Sequence, residues 1–337
     1  MKTNFLFIII SIFLSFSFQQ SNNQPRKIKQ MIVNSYEAVE KFGEVQKGNL
    51  VNKSTVKYDD KGKEIQNIDE VYINSDLISK EQVTYKYDEK GNEIEKQFVN
   101  NGYGLPRTST SKMITKYDEN GNMLEWSHYI EDGSIYSKTI YKYDDKNNRI
   151  EENSYKSDGS LKEKHTFKVD KQNRFIENIH YDSEKNIYFK TIFKYDDRGN
   201  RIEENTSKSN AGLELKYTFD SKYSFKYDAK NNIIEETISY NSGGNLDSKT
   251  TFKRDNKGNT IEENDYEASG SLKLKKTFKY DEKGNEIEWK LYKSNGSLES
   301  KMTYKYEDYD IADNWRREIE FKNDKPTEII EREIEYF

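Results

Sequence analysis

The chain of 337 residues contains no cysteine, only 3 prolines and 17 glycines, and only 33% hydrophobic residues. The lack of cysteine excludes disulfides, thiolate metal sites, a cysteine nucleophile and lipid attachment through cysteine. The scarcity of proline and glycine argues against a low-complexity linker. Ordinary globular domains have about 45–50% apolar residues, so one large compact core is not expected.

Charged and aromatic residues, by contrast, are abundant. The sequence has 55 Lys and Arg against 60 Asp and Glu, a net charge of −5, which is not the balance of a nucleic-acid-binding protein. The 26 tyrosines and 17 phenylalanines are too many for intrinsic disorder. We therefore expect a folded but thin structure.

The amino terminus has the pattern of a secretion signal. Residues 1–20 (MKTNFLFIIISIFLSFSFQQ) carry one lysine, then an apolar stretch from Phe5 to Phe18 that is shorter than the roughly 20 residues of a membrane span. Ser15 and Ser17 supply small residues for a signal peptidase. We predict a signal peptide over 1–20 and an exported protein, periplasmic, on the cell surface or secreted. The alternative is an uncleaved anchor; no later segment is apolar enough to span a membrane.

One phrase recurs along the rest of the chain, as in YKYDEKGNEIE from Tyr85 and FKYDEKGNEIE from Phe278. The marker residue of the phrase, which precedes the turn aspartate in the clear copies, recurs ten times from Tyr58 to Tyr306, most often at an interval of 26 residues. A period of this size is typical of repeat arrays.

Each unit carries a turn of the form D-x-x-[GN]. Aspartate accepts hydrogen bonds from the turn backbone, and glycine and asparagine tolerate positive φ most readily, so the pattern predicts a type I turn followed by a bulge. We assign a structural role to these turn residues: Asp88, Gly91, Asp118, Gly121, Asp144, Asn147, Asp196, Gly199, Asp228, Asn231, Asp255, Gly258, Asp281 and Gly284.

A second turn signal follows the first by 12 or 13 residues wherever both are clear. Its centres are Gly48, Gly133, Gly159, Asn186, Gly212, Gly244, Gly270 and Gly296. Between the turns, apolar residues alternate with polar ones, as in Leu272, Leu274, Phe278 and Tyr280, which is the period of a β-strand. The sequence therefore predicts an all-β array of antiparallel hairpins, about ten units of 26 residues with two strands each, curved as an open sheet or as a partial shell or solenoid.

The phrase [YF]-x-Y-D-x-x-G-N followed by Ile or Leu resembles the YD repeats of Rhs-type proteins, over roughly residues 45–315. That resemblance implies β-hairpins wound into a hollow shell that can enclose a toxin domain. Two departures weaken a cargo role: the units are a few residues longer than in that family, and no toxin domain follows the repeats. A weaker similarity to MORN-like repeats lacks their dense glycine pattern.

The resulting division of the chain is a signal peptide at 1–20, an amino-terminal cap at 21–47, hairpin repeats at 48–315 and a carboxy-terminal capping hairpin at 316–337. Terminal units of an array must cover an open sheet edge. Insertions at 100–107 and 217–225 interrupt the regular spacing.

Three familiar kinds of site are poorly supported. Calcium needs six to eight oxygens around one centre, and equivalent turn aspartates two strands apart are about 9–10 Å from each other. His128, His165 and His180 fall in different repeats and are interpreted as filling residues. Glutamate pairs such as Glu151/Glu152 point to opposite faces of a strand and make a poor glycosidase pair. We predict no enzyme, no cofactor and no metal.

Aromatic residues remain as the material for binding. Trp126 and Trp289 occupy the same repeat position, and Tyr217 and Tyr223 flank an insertion. Their apolar faces and polar edges suit sugar rings or an extended peptide, although lining a core is the competing interpretation. The hypothesis is an exported binding or scaffold module for a surface glycan or a partner protein. The alternatives are an accessory or shell-like component of an Rhs-type toxin system and a polysaccharide-processing enzyme.

Overall fold

The computed structural model describes residues 26–102, 109–208, 218–240 and 246–337. Within these residues the chain forms 22 β-strands, and each strand pairs antiparallel with the next one along the chain. The predicted all-β array of antiparallel hairpins is confirmed. The signal peptide predicted at 1–20 lies outside the described residues.

The first eleven strands are β1 (Ile28–Lys41), β2 (Glu44–Tyr58), β3 (Glu64–Ile73), β4 (Asp76–Tyr87), β5 (Glu93–Gly102), β6 (Ser109–Tyr117), β7 (Met123–Tyr129), β8 (Ile135–Tyr143), β9 (Arg149–Lys156), β10 (Leu161–Val169) and β11 (Phe175–Tyr181). The other eleven are β12 (Ile187–Tyr195), β13 (Arg201–Lys208), β14 (Thr218–Tyr227), β15 (Ile233–Tyr240), β16 (Leu246–Arg254), β17 (Thr260–Glu267), β18 (Leu272–Tyr280), β19 (Glu286–Lys293), β20 (Leu298–Tyr309), β21 (Trp315–Lys322) and β22 (Lys325–Tyr336).

The sheet is closed, so the prediction of an open sheet or partial solenoid is wrong. β1 pairs antiparallel with β22, from Ile28 opposite Tyr336 to Glu37 opposite Glu328. The segments predicted as caps, 21–47 and 316–337, contain β1, the start of β2, all of β21 except Trp315, and β22. Pairing the first strand with the last satisfies the N–H and C=O groups that an array would otherwise leave on two edges.

The best-buried apolar residues lie where the sheet closes. Met31, Ile319 and Ile329 are 3%, 4% and 0% exposed, and Ile329 is directly opposite both Ile319 and Tyr36. We call the part of the sheet made by β1, β21 and β22 the seam. The seam is stabilised by apolar packing instead of by the residues of the repeat phrase. Full burial of an isoleucine side chain contributes about 1.5–3 kcal/mol to the free energy of unfolding.

Nine turns of the D-x-x-[GN] kind and a tenth of the form D-x-x-D join the even strands to the odd strands that follow them, all at one end of the sheet. The tenth begins at Asp310 instead of after Tyr306, because β20 stays in unbroken register with β21 as far as Tyr309, opposite Trp315. At the other end Gly48, predicted as a turn centre, lies inside β2, and the first turn is at Phe42 and Gly43. Gly212 and Gly244 lie outside the described residues.

The strands contact their sheet neighbours, and no described strand packs as a second layer on either face. Side chains therefore divide between two faces of a single layer. The lysine–glutamate face carries residues such as Lys142 and Glu151, and the aromatic face carries residues such as Tyr141 and Tyr143. Among the described residues, no helix is long and apolar enough to cross a membrane.

Candidate functional site

The turn aspartates are engaged by their own turns. In the turn from Asp118, the Oδ1 atom accepts hydrogen bonds from the backbone N–H groups of Asn120 and Asn122 at 2.9 and 2.8 Å, and Oδ2 accepts one from Asn122 Nδ2 at 2.8 Å. The hydrogen bond from the Asn122 side chain, together with those from the backbone, lowers the pKa of Asp118. These hydrogen bonds stabilise the turn.

The fourth turn position has positive φ in every predicted turn. The angles lie between 62° and 93° at Gly62, Gly91, Gly121, Asn147, Asn173, Gly199, Asn231, Gly258 and Gly284. The left-handed conformation explains why only glycine and asparagine occur there.

A tyrosine at the marker position of the repeat links seven hairpins to the hairpins before them. Its hydroxyl donates to a backbone carbonyl just after the preceding turn, at 2.7–3.0 Å. The pairs are Tyr87 with Glu64, Tyr117 with Glu93, Tyr143 with Met123, Tyr195 with Phe175, Tyr227 with Arg201, Tyr280 with Thr260, and Tyr306 with Glu286. Val169 replaces tyrosine in one repeat, where a cavity of about 530 Å³ lies between the turns at Asp144 and Asp170.

The lysine–glutamate face is a regular ladder of ion pairs. One glutamate per repeat lies between lysines on both neighbouring strands, as in Lys142–Glu151–Lys164, with N–O distances of 2.7 and 2.6 Å. Hydrogen bonds from Lys142 and Lys164 lower the pKa of Glu151 to about 2. Equivalent triplets centre on Glu125, Glu177, Glu203, Glu235 and Glu262. Glu152 points to the other face and pairs with Arg149 at 3.2 Å.

The residues predicted to contact a ligand are not brought together. Trp126 is on β7, Tyr223 on β14 and Trp289 on β19, so the two tryptophans are twelve strands apart in one direction around the sheet and ten in the other. Tyr223 is half-buried opposite Ile238. Tyr217 lies outside the described residues. A single site built from all four residues is therefore absent from the part of the chain that the structure describes.

Trp126 belongs to a small, partly exposed platform that we define as Trp126, His128 and Tyr136. The ring centroids of Trp126 and His128 are 6.1 Å apart, and those of His128 and Tyr136 are 5.3 Å apart in an edge-on arrangement. Tyr136 is 60% exposed. Trp289 differs, because its indole Nε1 donates a hydrogen bond to the Tyr304 hydroxyl at 3.0 Å and its polar edge is thereby used within the sheet.

Sequence reasoning separated His165 and His180, but the structure places them on the two strands of one hairpin. They are directly opposite each other on β10 and β11, with ring centroids 4.3 Å apart and planes at 10°. Glu163 Oε2 is 3.3 Å from His180 Nε2. Counting register outward from the turn at Asp170 would have paired the two histidines.

Three glutamates of the aromatic face near the seam have raised pKa values. Burial, together with the charge of Glu320, raises the pKa of Glu318 to about 7. Burial and the charge of Glu328, which is directly opposite on β22, raise the pKa of Glu320 to about 7. Burial also raises the pKa of Glu328. Arg332 lies near this group, and its guanidinium is 3.3 Å from the Trp315 ring centroid.

Comparison with known proteins yields structural neighbours only. No family model matches the chain, and no curated protein matches it. A porin-like protein from Bacteroides uniformis ATCC 8492 aligns with a TM-score of 0.32 and 9% identity, covering 93% of this chain and all of that one. The TcdB2-TccC3 structure aligns with a TM-score of 0.22 and 11% identity, covering 87% of this chain. A Photorhabdus luminescens Tc holotoxin pore aligns with a TM-score of 0.16 and 9% identity, covering 82% of this chain. The chain spans about a fifth of the two Tc proteins, 20% and 22%.

Proposed function

We propose that this protein is an exported, non-enzymatic binding module that recognises an extended glycan of a cell surface through its aromatic face. The observation that carries the proposal is the partly exposed platform of Trp126, His128 and Tyr136 on a single-layer sheet. Export rests on the leader pattern of residues 1–20.

The platform has the chemistry that sugars require. Tryptophan and tyrosine rings offer apolar faces for the C–H faces of a pyranose, and the tyrosine hydroxyl offers a hydrogen bond at the edge. Tyr136 projects furthest into solvent, at 60% exposure. Because no second layer covers the aromatic face within the described residues, a long polymer has room to extend along neighbouring strands.

The lysine–glutamate face is a poorer candidate for recognition. Its glutamates are neutralised by lysines on both sides, as Lys116 and Lys138 do for Glu125 at 3.0 and 2.7 Å. Such paired charges at a solvated surface contribute little net attraction to a partner. The aromatic face is therefore the better surface to test.

Closure of the sheet favours a second candidate, a shell-like component that encloses another polypeptide. Strands spaced about 4.8 Å apart and tilted by about 40° give a circular cross-section of 22 strands a diameter of roughly 35–45 Å. An interior of that width accommodates an extended chain or a small folded segment. Co-purification of a stoichiometric polypeptide from the native host would support this candidate over glycan binding.

The test is an array of glycans and cell-wall polymers probed with protein that begins at residue 21. We expect Trp126→Ala to weaken binding to the recognised glycan about tenfold, the equivalent of about 1.4 kcal/mol. Tyr155→Ala, a matched change on the lysine–glutamate face of β9, should leave binding unchanged. Binding to none of the polymers, or binding unaffected by Trp126→Ala, would contradict the proposal.

A further inference from the structure

The hairpin of β10 and β11 carries the most concentrated group of metal-ligand side chains in the described part of the chain. Donor atoms of Glu163, His165 and His180 all lie within 4.8 Å of one another. Glu163 and His165 are two residues apart on β10, so they share the aromatic face, and His180 is opposite His165 on β11. All three side chains are partly exposed and can be reached by an ion.

The neighbouring hairpins show that the sheet does not require imidazoles here. The equivalent cross-strand pair is Thr139 with Ser154 in the preceding hairpin and Thr191 with Thr206 in the following one. Their hydroxyl oxygens are 3.1 and 3.0 Å apart. The same backbone frame therefore holds a small hydrogen-bonded pair on both sides of the histidines.

We propose that Glu163, His165 and His180 bind a divalent transition-metal ion, with Zn²⁺ as the preferred ion. Two imidazole nitrogens and one carboxylate oxygen form a donor set that zinc accepts, with bonds of about 2.0–2.2 Å. Tetrahedral ligands are then about 3.3 Å apart, so the most widely separated pair of donor atoms must close by at most about 1.5 Å. Three protein ligands leave one position for water or for an anionic group of another molecule.

Side-chain rotation supplies the needed movement. Cβ atoms of residues directly opposite on antiparallel strands are about 4.5–5.5 Å apart, which fixes the distance between the two histidines without strain. An ion binds in the plane of an imidazole, so the rings, now stacked at 10°, must turn relative to each other. Glu163 already reaches His180, with its Oε2 atom 3.3 Å from Nε2.

Neighbouring side chains contact both imidazoles of this cluster. Asn178 Oδ1 is 3.4 Å from His165 Nδ1, and the Tyr188 ring meets His180 edge-on at 5.6 Å between centroids.

Other charged groups near the cluster already form ion pairs or hydrogen bonds. Glu152, directly opposite His165 on β9, pairs with Arg149 at 3.2 Å. Asp182 accepts hydrogen bonds from the backbone N–H groups of Glu184 and Asn186 at 2.9 Å each. Lys162 is 3.7 Å from Glu163 and would have to release it.

The test uses chelator-treated protein from residue 21, titrated with Zn²⁺ by calorimetry. We expect one site, and substitution of Co²⁺ should give the intense visible absorption of a tetrahedral ion with nitrogen ligands. The double variant His165→Thr/His180→Thr carries the threonine pair of the following hairpin and should therefore fold. It should bind Zn²⁺ at least about 100-fold more weakly, because two of three ligands are lost.

Two further variants complete the design. His128→Thr is the matched control, since His128 occupies the same repeat position as His180 but is opposite Met113; it should keep the site. Glu163→Gln removes only the carboxylate and should weaken binding at least about tenfold. The proposal is overturned when wild-type protein shows no stoichiometric Zn²⁺ binding, or when the double variant or Glu163→Gln binds as tightly as wild type.

Discussion

The hydroxyl of Tyr143 donates a 2.8 Å hydrogen bond to the backbone carbonyl of Met123, which lies in the preceding hairpin. Within one hairpin the turn and the ladder already satisfy the backbone. The tyrosine hydrogen bond is different because it joins consecutive hairpins near the turn end of the sheet, where backbone pairing between them has already ended. It gives the Tyr-Asp phrase two distinct tasks, with aspartate closing the turn and tyrosine fixing the spacing to the previous repeat.

Removing this hydroxyl should destabilise the sheet. Tyr143→Phe keeps the ring and deletes one partly buried hydrogen bond, so the free energy of unfolding should fall by about 1 kcal/mol in urea titrations. An unchanged unfolding free energy would mean that the bond to Met123 is replaced by water without cost.

The reciprocal change tests the same idea by gain of stability. Val169→Tyr restores the missing aromatic ring at the edge of the cavity between the turns at Asp144 and Asp170, and it places a hydroxyl near the Arg149 carbonyl. We expect an increase of about 0.5–1.5 kcal/mol in the free energy of unfolding. A decrease would show that the cavity cannot accept the ring in this repeat.

Substitutions at the fourth turn position should change the free energy of unfolding only through the positive φ that this position requires. At Gly284, with φ 86°, a Cβ atom would meet no other atom within 4 Å, so steric contact does not complicate the result. Gly284→Val should cost roughly 1–2 kcal/mol because a β-branched residue resists positive φ. Gly284→Asn is the control, since Asn147 and Asn231 occupy this position with φ of 64° and 65°. It should cost only a few tenths of a kcal/mol. Equal losses for both variants would contradict the argument, and urea titration measures both.

The turns and strands were predictable because each repeat states a backbone requirement in a few residues. Glycine or asparagine at a position of positive φ, and aspartate three residues earlier, leave few alternatives to a hairpin. Alternation then gives the faces, and the pairing of Lys142 with Glu151 across neighbouring strands follows from them. Local rules of this kind do not depend on the rest of the chain.

Closure and the histidine pair were not predicted, for different reasons. β1 and β22 lack the repeat phrase, and their pairing joins residues about 300 positions apart, which no local pattern records. His165 and His180 were assigned to separate repeats because repeats were counted from marker to marker. The relevant unit is the hairpin around the turn at Asp170, and register counted from that turn places the two rings opposite each other.

The raised carboxyl pKa values at the seam should make the protein less stable as pH rises. Burial and Glu328 raise the pKa of Glu320 from 4.5 to about 7. The stabilisation is then complete below about pH 4.5 and is lost as pH rises to about 7. Glu320→Gln should abolish this loss. The free energy of unfolding of the variant, relative to that of wild type, should therefore rise by about 1–3 kcal/mol between pH 4.5 and pH 8, measured by urea unfolding.

A glutamate of the other face is the matched control with the opposite sign. Lys142 and Lys164 lower the pKa of Glu151 from 4.5 to about 2, so its stabilisation is present above about pH 4.5 and is lost as pH falls toward 2. Glu151→Gln should therefore destabilise at pH 8 and matter progressively less below pH 4.5. The assignment of the pH effect to the seam would be wrong if both variants shifted the profile in the same direction.

Closure itself can be tested by a disulfide, because the chain contains no cysteine that could interfere. Asn34 and Glu331 are directly opposite on β1 and β22, and opposite residues have Cβ atoms about 4.5–5.5 Å apart, close to the 3.5–4.5 Å of a disulfide. Mild oxidation of the Asn34→Cys/Glu331→Cys variant should form a disulfide within one molecule. Neither cysteine should then react with a maleimide. In the control Asn34→Cys/Thr191→Cys, the second residue is on β12, half-way around the sheet, and both thiols should stay reactive. Reactive thiols in both proteins would show that β1 and β22 are separate edges in solution.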